Sequence, residues 1–296
     1  MPVRQYRFRS ETRALDDAAR ATAPGRFVHL PDGLTHYELA GPPDAQTVVL
    51  VHGFSIPYYI WDPTFAALVE AGFRTLRFDL YGRGFSDRPD AEYNADLYDR
   101  QLSGLLDSLD IRAPVDVAGL SMGGPVTVHF ADRHPERVRR LVLVDPAGFP
   151  LKQPLAAGLI RAPLVGEWLM DRFGGQILVK GLVKDLKEPS RFPDYQQRYR
   201  TQMQYAGFKR ALLSTLRSGF LTRAADAYRR VGEQKRPVLL IWGREDSVIP
   251  FAISDKVKAA IPHAEFHAID DAGHVPHLER PDAVNPILIE FLRAMR

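Results

Sequence analysis

Ser121 stands in Gly119-Leu120-Ser121-Met122-Gly123, a GxSxG pentapeptide that follows the apolar run Val115 to Gly119 and precedes a stretch with helical spacing. On a sharp strand-to-helix turn a serine is held in strained backbone with its hydroxyl exposed, so the residues two positions away must lack side chains. Gly119 and Gly123 meet that demand. A serine hydroxyl becomes a nucleophile only beside a base, and the base needs an acid to orient it. Asp271-Ala272-Gly273-His274 follows the last apolar run and supplies His274 as the general base. Trp242-Gly243-Arg244-Glu245-Asp246 follows the run Val238 to Trp242 and supplies Asp246 as the acid. Two other acids rank below it: Glu245 points elsewhere from the same tight turn, and Asp145, in Asp-Pro after a strand, reads as a strand end. His277 reads as a capping or packing residue.

A developing oxyanion needs donors as well. His52-Gly53-Phe54 comes directly after the run Thr47 to Val51, at the carboxyl end of a strand where open α/β sheets bind ligands. The backbone N–H of Phe54 is one candidate donor, and that of Met122, at a helix start where free amides and the helix dipole both favour negative charge, is the second. His52 itself reads as a buried structural residue that fixes the loop.

The elements that must position these residues alternate between short β-branched runs and longer amphipathic stretches, the pattern of a mostly parallel sheet covered by helices on both faces. Phe27 to Leu30 and Thr35 to Leu39 read as an antiparallel start around Pro31-Asp32-Gly33. Thr47 to His52, Thr75 to Phe78, Val115 to Gly119 and Val138 to Asp145 read as buried parallel strands, with Val238 to Trp242 and Ala264 to Ile269 later. Helical spacing appears over Pro63 to Ala71, Asn94 to Leu109, Met122 to His134 and Asp282 to Met295, where Asp282 suits the N-cap or first turn. From 147 to 234 the alternation stops. That stretch reads as a helical cap, several short helices broken by Pro154, Pro163, Pro189 and Pro193, inserted in an α/β core formed by 26–146 and 235–296. Residues 1–25 are an extension in which Ser10 to Ala23 could form a helix that covers a surface or meets another subunit.

A chain of 296 residues with 45% hydrophobic content can fill one large α/β core with such an insertion. Its net charge of +3 is the small remainder of 39 basic and 36 acidic residues, so no nucleic-acid footprint follows. The absence of cysteine excludes disulfides, thiolate metal sites and a cysteine nucleophile. The basic N-terminal stretch lacks the apolar core of a secretory signal, and no apolar run is long enough to span a membrane. A cytoplasmic protein is expected, with no metal and no organic cofactor; a homo-oligomer is left open.

The order Ser, Asp, His, with HGF, DLYGRGFSDRP, GLSMGG, WGREDSVIP and AGHVPHLERP at successive strand ends, resembles the α/β-hydrolase superfamily over residues 26 to 296 apart from the cap. In that family Asp79, Gly82, Gly84 and Ser86 match a segment that is usually structural. Dehalogenase-like and epoxide-hydrolase-like relatives carry aspartate where this chain has Ser121. Carbon–carbon bond hydrolases are similar in GxSMGG and WGRxD but typically hold a small polar residue where this chain has Leu120. Perhydrolase relatives share the SMGG run.

The resemblance implies a serine hydrolase acting through an acyl-enzyme on a small-molecule carboxylic ester. Tyr58 and Trp61, crowded with Tyr59 after HGF, suggest an apolar pocket, and Val248 and Val275 line it by their place beside Asp246 and His274. Short to medium acyl esters rank first, because no segment reads as an interfacial helix suited to long-chain lipids. The alternatives are a carbon–carbon bond hydrolase, a perhydrolase, and a slow or non-catalytic ligand receptor on the same fold.

Overall fold

A computed structural model describes residues 6–151 and 155–294. Eight strands, β1 (Arg26–Leu30), β2 (Gly33–Ala40), β3 (Thr47–Val51), β4 (Arg74–Phe78), β5 (Val115–Leu120), β6 (Val138–Val144), β7 (Val238–Gly243) and β8 (Glu265–Ile269), form one sheet in the order β1-β2-β4-β3-β5-β6-β7-β8. The pairs β1–β2 and β2–β4 are antiparallel and every other pair is parallel. From β3 the chain moves outward to β4, then returns to β5 on the other side. The crevice at the carboxyl ends of β3 and β5 is therefore the switch point where open α/β sheets receive ligands.

Strands β3, β5 and β7 are buried along their whole length, which is why they read as continuous apolar runs. Alternate residues feed two cores. Val49, Val51, Val117 and Leu240 join the helices Ala95–Ser108, Gly123–Arg133 and Ala225–Glu233 on one face. Val48, Leu50, Ala118 and Leu239 meet the helices Asp62–Glu70 and Pro281–Arg293 on the other. Asn94 starts its helix by accepting from the N–H groups of Asp96 and Leu97, as its place before an apolar repeat predicts.

Between β6 and β7 lie the helices Val165–Leu169, Gly175–Asp185, Pro193–Gln202, Phe208–Ser218 and Ala225–Glu233, with shorter turns among them. Met170–Gly174 is a π turn that joins the first two into one continuous helical segment. Ala225–Glu233 packs against Gly123–Arg133, so it belongs to the helix layer beside the sheet.

Two local expectations differ from the structure. Ser10 to Ala23 is not a helix throughout: only Asp17–Arg20 is helical, started by Asp16, and Arg13 pairs with Tyr205 in an isolated bridge. None of the segment's residues is buried, and it is held to the inserted helices by contacts such as Glu11 accepting from the N–H groups of Gly207 and Lys209. The terminal helix runs Pro281–Arg293 behind Arg280, and Asp282 is a first-turn acid paired with that arginine. Pro154 and Met295 lie outside the described residues.

Candidate active site

Ser121 has φ 52°, left-handed backbone that a serine adopts only under constraint. The constraint is visible: its N–H donates to Val144 O on β6 and its carbonyl accepts from Gly124 and Ala147. A Cβ on Gly119 would come within 2.3 Å of Gly123 O, and one on Gly123 within 2.3 Å of Val51 O. These are the collisions that the two glycines avoid.

Ser121 opens onto a cavity of about 340 Å³ lined also by Phe54, Leu120, Ile177, Asp185, Val248, His274 and Val275. His274 Nδ1 lies 2.7 Å from Asp246 Oδ2. The other Asp246 oxygen accepts from the N–H groups of Val248 and Ile249, so the carboxylate is fixed before it meets the ring. Burial alone would lower the basicity of His274, but the Asp246 charge and hydrogen bond, helped by Asp185, outweigh it and raise the ring above its ordinary value. Nδ1 is engaged, and Nε2 makes no hydrogen bond with a described residue.

The N–H groups of Phe54 and Met122 donate to no described residue. The carbonyl of Phe54 accepts from Arg83 Nε at 2.8 Å. That guanidinium is wholly buried and also binds Tyr81 O, Tyr98 Oη and Thr215 Oγ1. Arg83 is assigned no role from the sequence, although it stands inside DLYGRGFSDRP; a cation in a segment otherwise structural is the signal that marks it. Phe54 lines the cavity with Ser121 and His274, whereas Met122, next in sequence to Ser121, is fully buried and does not line it. A hydroxyl, a carboxylate-held imidazole and an unpaired amide on one cavity are parts that acyl transfer requires.

The profile of the alpha/beta hydrolase family matches residues 48–287. The chain belongs to that family. It is 32% identical over 288 residues, 90% of this chain and 94% of the relative, to the 2-hydroxy-6-oxononadienedioate/2-hydroxy-6-oxononatrienedioate hydrolase of Cupriavidus pinatubonensis. Among solved structures it is similar to the enol-lactonase from Burkholderia xenovorans, with TM-score 0.78 and 25% identity, covering 91% of this chain and 100% of that one. A thermophilic esterase from Thermogutta terrifontis matches with TM-score 0.77 and 25% identity, covering 91% and 98%.

Within this α/β hydrolase not every expected residue reaches the cavity. Val248 and Val275 line it. Tyr58 and Trp61 do not, because the turn Tyr58–Trp61 carries them down beside the sheet. Tyr58 faces a separate pocket with His36 and Asp79, and Trp61 is fully buried with its ring 4.2 Å from that of His277. The pocket residues found instead, Ile177 and Asp185, come from the inserted helices, whose fold is not readable from spacing.

The remaining candidates have clear places. His52 is buried and pushed down to about 4 by burial, and its Nε2 accepts from Leu80 N–H while Nδ1 meets Gly53 O. His277, lowered to about 3 by burial, donates to Ile60 O. Glu245 accepts from Ala272 N–H and pairs with Lys187. Asp145 lies closer to the chemistry: one of its carboxyl oxygens, one of Asp246 and a ring nitrogen of His274 are within 4.8 Å of one another. Its Oδ1 accepts from Gly243 N–H, while burial first and then the Asp246 charge push the carboxyl well above the ordinary range. Burial and the neighbouring carboxylate thus both disfavour the ionised form of Asp145. Asp185, on the inserted helix, is raised to about 7 by burial in the cavity wall, and its carbonyl accepts from His274 N–H at 2.8 Å.

Proposed function

We propose that this chain is a serine hydrolase of neutral carboxylic esters with short to medium acyl chains. The observation that carries the reading is the shared cavity, lined by Ser121, by an imidazole held by Asp246 at 2.7 Å and by Phe54, whose amide has no partner among the described residues. Ser121 attacks the ester carbonyl as His274 takes its proton, and the N–H groups of Phe54 and Met122 receive the oxyanion. His274 returns the proton to the departing alcohol, and an acyl-enzyme remains. The same imidazole then activates water to release the acid. Asp246 holds the tautomer throughout.

The walls favour a neutral substrate. The cavity is lined largely by Phe54, Ile56, Leu120, Leu178, Leu182 and Val275; its one Lys or Arg among the described residues is Lys184, exposed at the rim beside Asp185. A dicarboxylate would meet one screened cation and a carboxyl that itself becomes negative near neutrality. The similarity to an enol-lactonase and an esterase supports acyl transfer. A second reading, cleavage of a carbon–carbon bond in a dienedioate, is favoured by the relative with 32% identity and its printed activity.

A panel of 4-nitrophenyl esters from acetate to decanoate, set against a 2-hydroxy-6-oxo-dienedioate, tests the choice, with Ser121→Ala as the control. The ester reading expects the highest kcat/KM on butyrate to octanoate. Preference for the dienedioate would reverse the order of the two readings, and equal background rates for parent and Ser121→Ala on every compound would leave a receptor rather than an enzyme.

A further inference from the structure

Apart from Val248, every large hydrophobic side chain that stands well exposed among the described residues falls between Leu159 and Val183. Leu164 is 72% exposed, Ile177 63% and Trp168 55%, values foreign to side chains of this size unless something covers them. The local geometry gathers them. Val165–Leu169, the π turn Met170–Gly174 and Gly175–Asp185 run on as one helical segment. The wider π turn brings residues five apart onto one face, and the rings of Trp168 and Phe173 meet edge to face at 6.0 Å. Four residues further on, Ile177 lines the cavity of Ser121. The apolar stripe therefore ends at the mouth of the site.

Its exposed charges without an ion-pair partner have one sign, and the acid Asp185 at its end lies in the cavity wall. Arg172, Lys180 and Lys184 on this segment are exposed and make no ion pair among the described residues. The acids Glu167 and Asp171 are already engaged, by Arg217 and Arg9. A helical face with tryptophan, phenylalanine and leucine beside unpaired cations is the composition of a surface that lies in the boundary between headgroups and acyl chains. No described helix is long and apolar enough to cross a membrane, so such an association is peripheral. A second copy of this chain is a poorer occupant, because a two-fold contact on this face would set the same cations against themselves.

We propose that the stripe from Leu164 to Ile177 seats the protein on an anionic phospholipid surface, with Arg172, Lys180 and Lys184 on the phosphates and the mouth of the Ser121 cavity turned toward the lipid. An ester dissolved in that lipid then enters past Ile177 without crossing water. This last consequence rests on the ester reading; the docking does not.

Vesicles of ether-linked phospholipid, which offer no ester to hydrolyse, test it. Sedimentation with equal phosphatidylglycerol and phosphatidylcholine is compared with phosphatidylcholine alone. Of the three tryptophans, Trp61 and Trp242 are fully buried, so a blue shift of emission on binding reports Trp168. Binding to the anionic vesicles, a blue shift, and weakening by salt are expected, and Ser121→Ala binds as the parent does. Arg172→Glu with Lys180→Glu weakens binding about tenfold or more, and so does Leu164→Ser with Phe173→Ser. Both pairs keep the parent circular dichroism and its turnover of a soluble short ester. Absence of binding, equal binding to both vesicle types, binding that neither pair of substitutions reduces, or a parent dimer dissolved by Leu164→Ser with Phe173→Ser would each overturn the proposal.

Discussion

At the scale of single residues, the site is shaped by how the acids around His274 are held. Asp246 is fixed by two backbone N–H groups and holds His274, while burial and the Asp246 charge push the carboxyl of Asp145 beside it well above the ordinary range. Asp185 adds a third carboxyl whose value near 7 falls in the working range of a general-base histidine. The base works only when neutral, and its proton is held above the ordinary value, so kcat/KM on a soluble ester rises with pH through a limb above about 6.5. The negative charge of Asp185 favours the imidazolium; Asp185→Asn removes it and moves that limb to lower pH. Because the two groups titrate together, the parent limb is broad and that of the variant is sharper. A pH profile unchanged by the substitution would show that the carboxyl does not feel the ring. Arg83 is a positioning residue of a different kind, a guanidinium fork whose Nε holds Phe54 O. Lysine cannot span the same four acceptors, so Arg83→Lys misaims the Phe54 N–H and lowers kcat about tenfold to a hundredfold, with KM nearly unchanged. Equal losses in KM and thermal midpoint, with kcat intact, would assign the arginine to stability alone.

At the scale of elements, the loops that carry Asp246 and His274 and the inserted helix are tied by hydrogen bonds to backbone groups. Glu279 accepts from Lys187 N–H at 2.7 Å and from Gly273 N–H at 2.6 Å, which joins the end of the helix Gly175–Asp185 to the loop that carries His274. Ser247 Oγ donates to Lys184 O, and His274 N–H to Asp185 O, which tie the acid and histidine loops to the same helix end. Glu279→Gln turns one oxygen into a donor facing an N–H, a buried mismatch that costs about 1–3 kcal/mol. Unfolding by denaturant checks the loss, and a displaced imidazole lowers kcat/KM by up to about a hundredfold. Unchanged stability and activity would mean that water replaces the tie. Spacing made the elements bearing Ser121, Asp246 and His274 legible, since β5, β7 and β8 are short apolar runs whose ends are marked by glycine or acid. It did not reveal Asp185, Ile177 or the exposed stripe. Helical period tells which residues share a face, but not whether that face meets the sheet, the cavity or water, and a π turn shifts the period without a sequence signal. Tyr58 and Trp61 were misread for a related reason: aromatics after a strand end go wherever the next turn carries them.

At the scale of the whole molecule, the sheet order sets everything else. Outward travel from β3 to β4 and return to β5 open the crevice between the HGF loop and the serine turn, and β7 and β8 continue the same edge to bring acid and histidine to one rim. The inserted helices close that rim from above and expose their own apolar stripe beside the opening. The proposed activity requires one nucleophile, Ser121, in the wall of one cavity. Its most direct test is incubation with a fluorophosphonate followed by intact-mass and peptide mass spectrometry. A single adduct is expected on the peptide containing Ser121, lost in Ser121→Ala and formed far more slowly in His274→Ala, with ester turnover falling in step. An adduct on another residue, or ester hydrolysis that Ser121→Ala leaves undiminished, would contradict it.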